Sequence, residues 1–284
     1  MPDQPSDATP TVDVWAIQPP AAATADATGG DAVVEEPSPR RSRRAPHEAR
    51  TDWRLGGRTV LRWREALLAV ALVSLGAAVL LGSLVATAWE SPWAAASATV
   101  ILWIGMLGPI IWAFTRSRPI GLLRLRAIDL LYGLVLGALL RTTQGWIAGL
   151  DGSAATLPTL LEIDGSSALS TLALDVVAPV VIAPLVEEFF FRAVVLIALY
   201  TVLRRPFGKL TAGLAAALAS TALFVLVHGI SGDGDASGIV ALSLLGVVCA
   251  LLVLLTGRIW GAVLVHVVYN ASYVALALAA SAMA

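Results

Sequence analysis

The sequence predicts an all-α fold, a polytopic transmembrane helical bundle of about seven spans behind a disordered N-terminal tail. Three observations predict it. Of the 284 residues 57% are hydrophobic and 14% charged, with a mean hydropathy of +0.80, whereas soluble domains average about 25% charged residues. Seven apolar runs reach the roughly 20 residues needed to cross about 30 Å of hydrocarbon at 1.5 Å per residue. The arginines, finally, are sorted to alternate connections between those runs.

Residues 1–55 read as a disordered, Arg-rich cytoplasmic tail. Rich in Pro, Ala, Thr, Asp and Gly and poor in apolar periodicity, they bury too little surface to offset the entropy of ordering. Arg40, Arg41, Arg43, Arg44, Arg50, Arg54, Arg58, Arg62 and Arg64 lead up to the first apolar run. Next to a span, such a block is an orientation signal and a contact for anionic lipid rather than a nucleic-acid site. The late, long hydrophobic run is unlike a secretory signal peptide.

The expected spans are 66–88, 94–114, 128–149, 170–202, 211–230, 239–257 and 260–282. Residues 56–124 hold the first two and their loop, and 125–284 form the helical core. Arg116, Arg118, Arg124 and Arg126 follow the second span, Arg204, Arg205 and Lys209 the fourth, and Arg258 the sixth. The alternate connections carry Glu90, then Asp151, Glu162 and Asp164, then Asp233 and Asp235, with no Lys or Arg. Positive charge stays on the cytoplasmic side, so the N-terminus is expected in the cytoplasm of a bacterial cell and the C-terminus outside. Trp63, Trp89, Trp93, Trp146 and Trp260 near span ends read as headgroup-level anchors. A single cysteine, Cys249 in an apolar run, reads as packing and excludes an intrachain disulfide or a Cys-rich zinc site. No internal repeat of the transporter kind is evident.

Few ionisable groups remain inside spans, and each costs about 2.5–3.5 kcal/mol at mid-bilayer on insertion scales. Asp129 and Asp175 fit hydrated span ends. Arg141 fits snorkelling to the outer interface or a pair with an acid. The fourth span holds Glu187-Glu188-Phe189-Phe190-Phe191-Arg192. Glu188 and Arg192, four apart, share a helix face and neutralise each other. Glu187 points about 100° away, free for chemistry, for a second salt bridge, or to be held neutral by burial. Pro179 and Pro184 lie just upstream, and proline removes a backbone donor and clashes four residues back. A kink or restart at Pro184 places Glu187 in the first turn of a second segment.

Phe224 and His228 share a face of the fifth span, and His266 and Asn270 share a face of the seventh. The first pair alone reads equally as a packed or hydrated interfacial histidine. The second reads as helix–helix hydrogen bonding or as paired donors toward a reacting oxygen.

The ordered set E-E-x-x-x-R, F-x-x-x-H and H-x-x-x-N on three late spans resembles the three motifs of the CPBP family, the CAAX-protease-like or Abi proteins, over roughly residues 125–283. The resemblance implies an intramembrane endopeptidase acting on a peptide or membrane-protein substrate. It implies Glu187 as the general base on water, His228 as its helper, His266 and Asn270 as oxyanion stabilisers, and Glu188 and Arg192 as structural support. A prenylated CAAX substrate belongs to eukaryotic members; a bacterial member is expected to cut a leader peptide, a bacteriocin-type peptide or a membrane-protein tail. No serine, cysteine or lysine nucleophile arrangement is evident, so water is the expected nucleophile.

No cofactor is expected. Zinc on Glu187, His228 and His266 is the alternative, although no H-E-x-x-H helix is present. Two other functions share the pattern: a non-catalytic immunity or scaffold protein of the same fold, and a proton-coupled transporter. If all spans start at one level, Glu187, His228 and His266 lie at depths differing by about 10 Å and converge only through tilt, stagger or a break.

Overall fold

The structure, a computed structural model, describes residues 52–55, 60, 62–150, 172–231 and 236–283. The expected tail up to residue 51 and the acidic connections with Asp151, Glu162, Asp164, Asp233 and Asp235 lie outside the described residues. Every element among those described is helical: α1 (Glu65–Ala88), α2 (Ala94–Arg116), α3 (Ala127–Leu150), α4 (172–207), α5 (209–231), α6 (Ala236–Thr256) and α7 (Trp260–Met283). A 3-10 turn, Trp53–Leu55, precedes them.

Among the described residues five helical stretches are long and apolar enough to cross a membrane: Glu65–Ala88, Ala94–Arg116, Val176–Gly229, Ala236–Thr256 and Trp260–Ala280. This count differs from the expected seven for two reasons. α3 carries Asp129, Arg141, Thr142, Thr143 and Gln144 and is not among them. The stretch Val176–Gly229 counts once although the chain turns within it at Gly208, whose φ of 77° and ψ of 174° suit a residue without Cβ.

In lipid no hydrophobic drive holds helices together, so close packing must do so. On α3 a Cβ at Gly137 would stand 2.8 Å from Val268 Cβ and 2.9 Å from the Val265 carbonyl oxygen, so only hydrogen fits between α3 and α7. α1 and α2 are joined by Ser74, which donates to the Gly105 carbonyl at 2.7 Å.

α4 is not a uniform α-helix. Leu172–Ile182 and Phe189–Val195 are wound as π-helix, with Ala183–Glu188 as α-helix between them. In α geometry the ring of Pro184 would clash with the carbonyl of residue 180; the wider π winding ahead of it moves that carbonyl aside. π segments are rare and concentrate at functional sites.

One end of the bundle gathers the arginines. Trp53, 1% exposed, donates to the Gly257 carbonyl at 3.0 Å and meets Tyr200 edge-on. Arg54 donates to the carbonyls of Leu254 and Leu255, and Arg204 to that of Arg54. Residues 52–55, expected in a disordered tail, are therefore a docked strap. Tyr200 lies level with Gly257, and α4 continues to Gly208 beyond that level, so α5 starts roughly 10 Å below α7.

Three sequence expectations are corrected here. Asp129 is not a hydrated span end: it is fully buried, accepts from the Arg126 backbone N–H at 2.8 Å, and takes both Arg258 nitrogens at 2.7 and 3.1 Å. Arg141 does not snorkel free, and among the described residues it pairs with no acid. Its guanidinium donates to Ser272, the Tyr269 carbonyl and Gln144, and stacks over the Tyr269 ring at 4.1 Å. Trp63 is no headgroup anchor, because it is wholly buried, donates to the Ala113 carbonyl and packs on Phe114.

Candidate active site

Glu187 and Glu188 close the α-helical turn of α4, just before the second π segment. Both carboxylates are buried, and they point to different partners. Glu188 Oε2 lies 3.2 Å from Arg192 Nε, and its Oε1 accepts from His266 Nδ1 at 3.0 Å. The expected i, i+4 pair is present with neither side chain exposed. The 3.2 Å contact is an ion pair rather than an aligned hydrogen bond.

Glu187 Oε2 faces two imidazoles, His228 Nε2 at 3.7 Å and His266 Nε2 at 3.9 Å. The opposite ring nitrogens settle the tautomers. His228 Nδ1 is 2.9 Å from the Phe224 carbonyl, which only accepts, so Nδ1 carries the hydrogen. In the neutral rings Nε2 then presents a lone pair toward Glu187, in His228 by this bond and in His266 by its Nδ1–H to Glu188. Three acceptors converge on one place, an arrangement complementary to the O–H groups of water.

Phe224 organises the histidines. Its ring lies tilted against His228 at 4.3 Å, meets His266 edge-on at 5.8 Å and Phe191 at 5.4 Å, and lies under the Arg192 guanidinium at 4.5 Å. The F-x-x-x-H spacing marked this residue in the sequence, but not its contact with His266.

The stagger between α5 and α7 removes the depth mismatch. His228 lies close to the end of α5 and His266 soon after the start of α7, and both reach Glu187. Asn270 is placed differently. Its Nδ2 donates to the Pro179 carbonyl at 2.8 Å, so it is tied to the first π segment of α4, not to Glu187 or a histidine.

A cavity of about 670 Å³ reaches this place, lined by Glu187, His228, Pro179 and Ala183 on one side and by Trp93, Thr99 and Trp103 on the other. It lies toward the α1–α2 connection, one helix length from the arginine-rich end. Trp93, expected as an anchor alone, stands at its mouth. α2 therefore supplies a wall that no sequence motif announced; the only signal was Trp103 in mid-span, away from any interface.

Among the described residues no group of three His, Cys, Asp or Glu is arranged to hold a metal ion. The 3.7 and 3.9 Å separations exceed the about 3.3–3.5 Å between tetrahedral zinc ligands with bonds of 2.0–2.2 Å.

Buried acids, two histidines and an apolar cavity come together as a candidate site recessed within a helical bundle. Residues 169–272 match the family model described as type II CAAX prenyl endopeptidase Rce1-like, in agreement with the CPBP resemblance. No curated protein and no solved structure matches the chain. The matched segment contains Glu187, Glu188, Arg192, His228, His266 and Asn270. It supports, at family level, a CAAX-protease-type intramembrane endopeptidase.

Proposed function

We propose that this protein hydrolyses a peptide bond of a membrane-associated peptide or membrane-protein segment, with water activated by Glu187. The observation that carries this reading is the convergence of His228 Nε2 and His266 Nε2 on Glu187 Oε2, at 3.7 and 3.9 Å. One water beside Glu187 can donate one hydrogen to Oε2 and the other to a histidine Nε2, at contacts of about 3 Å.

The water donates one hydrogen to Glu187 and the other to His228. Glu187 takes the first proton as the water oxygen attacks the carbonyl carbon, giving a tetrahedral oxyanion. Collapse breaks the C–N bond, and Glu187 returns the proton to the leaving nitrogen. His266 faces the same place, with Glu188 as the counter-charge on its far nitrogen. Asn270 has a second amide hydrogen beyond the one held by Pro179, and the oxyanion is its target. Glu188 and Arg192 fix the orientation of His266. No step passes through a metal.

The mostly apolar cavity fits an apolar stretch of substrate, as in a leader peptide or a membrane-protein tail of a bacterial plasma membrane. We read α1 to α7 as seven crossings, with the arginine-rich end cytoplasmic and the cavity open to the outside. The clustering of Arg54, Arg204 and Arg258 at one end supports this orientation.

The test is processing of a membrane-peptide library by the purified protein in vesicles, read by mass spectrometry of the fragments. Wild type yields new termini and Glu187→Gln does not; equal cleavage by both would sink the reading.

A further inference from the structure

A second cavity, of about 1070 Å³, lies toward the arginine-rich end of the molecule. It is at the upper edge of ordinary small-molecule sites, roughly 300–1,000 Å³. Ile110, Ile111 and Phe114 of α2 form one wall, and Phe189 and Trp260 the other. These rings are fixed: Phe189 packs on Phe114 at 5.9 Å and on Trp260 at 6.1 Å. Trp260 donates to the Leu123 carbonyl at 2.7 Å and so ties the connection after α2 onto α7.

The rim is of opposite character. Arg118 and Arg124 flank the turn at Pro119–Leu122 and line the cavity with exposed side chains. Neither has an ion pair or a side-chain hydrogen bond among the described residues. Arg116 is occupied otherwise, with its guanidinium over Trp112 at 4.2 Å. Ile111 and Ile120, also on the lining, are exposed.

Two guanidiniums without an ion-pair partner among the described residues, beside an apolar cavity, match a phosphate attached to hydrocarbon. We propose that this cavity binds an anionic phospholipid of the adjoining leaflet, its phosphodiester between Arg118 and Arg124 and an acyl chain along Phe114, Phe189 and Trp260. The catalytic cavity lies farther along α2, so the lipid site is separate from it.

The experiment places the full chain in phosphatidylcholine nanodiscs doped with phosphatidylglycerol brominated on its acyl chains, or with equally brominated phosphatidylcholine. Bromine quenches an indole on contact, and the quenching that disappears in Trp260→Phe is the signal of this cavity. Brominated phosphatidylglycerol is expected to act at lower mole fraction than the phosphatidylcholine, by a factor on the order of thirty for two arginines. That preference vanishes in Arg118→Gln/Arg124→Gln and largely survives in Arg118→Lys/Arg124→Lys. Equal quenching by both lipids in wild type overturns the proposal, as does a preference retained by the glutamine variant. Relief of quenching by inorganic phosphate, or by a membrane-spanning substrate peptide, assigns the cavity to a different occupant and also overturns it.

Discussion

Asn270 donates its amide hydrogen to the carbonyl of Pro179 at 2.8 Å, and the reason lies five residues further along α4. In a π-helix each carbonyl is served by the N–H of residue i+5. For Pro179 that residue is Pro184, which has no N–H. The orphaned carbonyl lies within the π segment Leu172–Ile182, and a side chain from α7 completes it.

Replacing Asn270 with Leu leaves that carbonyl unpaired in an apolar setting. The expected cost is about 1–3 kcal/mol, measured as a lowered unfolding midpoint in detergent. Proteolysis should fall as well. A variant with unchanged stability would show that the bond carries no weight.

Breaking the buried pair by Arg192→Met leaves Glu188 with a buried charge and is expected to cost about 3–5 kcal/mol. Adding Glu188→Gln removes that charge and should recover part of the loss. A double-mutant cycle on thermal unfolding measures the coupling, and additive losses would contradict the ion pair.

Loss of the base by Glu187→Gln should lower the cleavage rate at least about 100-fold, the lower range for general-base catalysis, while the unfolding midpoint stays near that of wild type. Exhaustive chelation should leave wild-type cleavage intact. Loss on chelation that zinc restores would replace the water-and-glutamate mechanism.

Gly137→Leu drives a side chain into Val268 and the Val265 carbonyl and should separate α3 from α7. Gly145, on the same helix, has open space where a Cβ would be. Gly145→Leu is therefore the control, with little change expected in the midpoint.

The strap at Asp52–Arg54 carries a pH dependence. Burial alone raises the Asp52 carboxyl, but hydrogen bonds and charge from Arg54 outweigh it and hold the group below its ordinary range. Its contribution is therefore full above the ordinary aspartate value and is lost as pH falls through the lowered one. Limited proteolysis near residue 52 should accelerate on acidification below about pH 4, and Asp52→Asn should be cut readily at neutral pH.

The helices were legible because apolar length is a strong signal: α1, α2, α6 and α7 fall within a few residues of expectation. Glu188 and Arg192 were legible because helical spacing alone makes them neighbours. Depth was not. Hydropathy assigns each span to the same slab, whereas Gly208 lets α4 overrun and sets α5 low; Glu187 and His228 stand level across that turn, and the offset brings His266 of α7 to the same level. Asp129 and Arg141 were misjudged for a related reason, since their partners, Arg258 and the Tyr269 carbonyl, lie more than a hundred residues away. Trp53 fell on the wrong side of a composition boundary, although a single large ring with a donor for Gly257 suffices to dock its neighbours.

The second π segment, Phe189–Val195, holds one residue more than an α-helix would need for the same turn. Because each π residue turns through less than the 100° of an α residue, seven of them rotate the chain about as far as six in α winding. Deleting one residue after Arg192 would therefore let the segment relax to α winding with Glu187 still facing the histidines. The same deletion between Phe189 and Phe191 would shorten the Glu188-to-Arg192 spacing and break the buried pair, so the tolerance to length is confined to one side of Arg192.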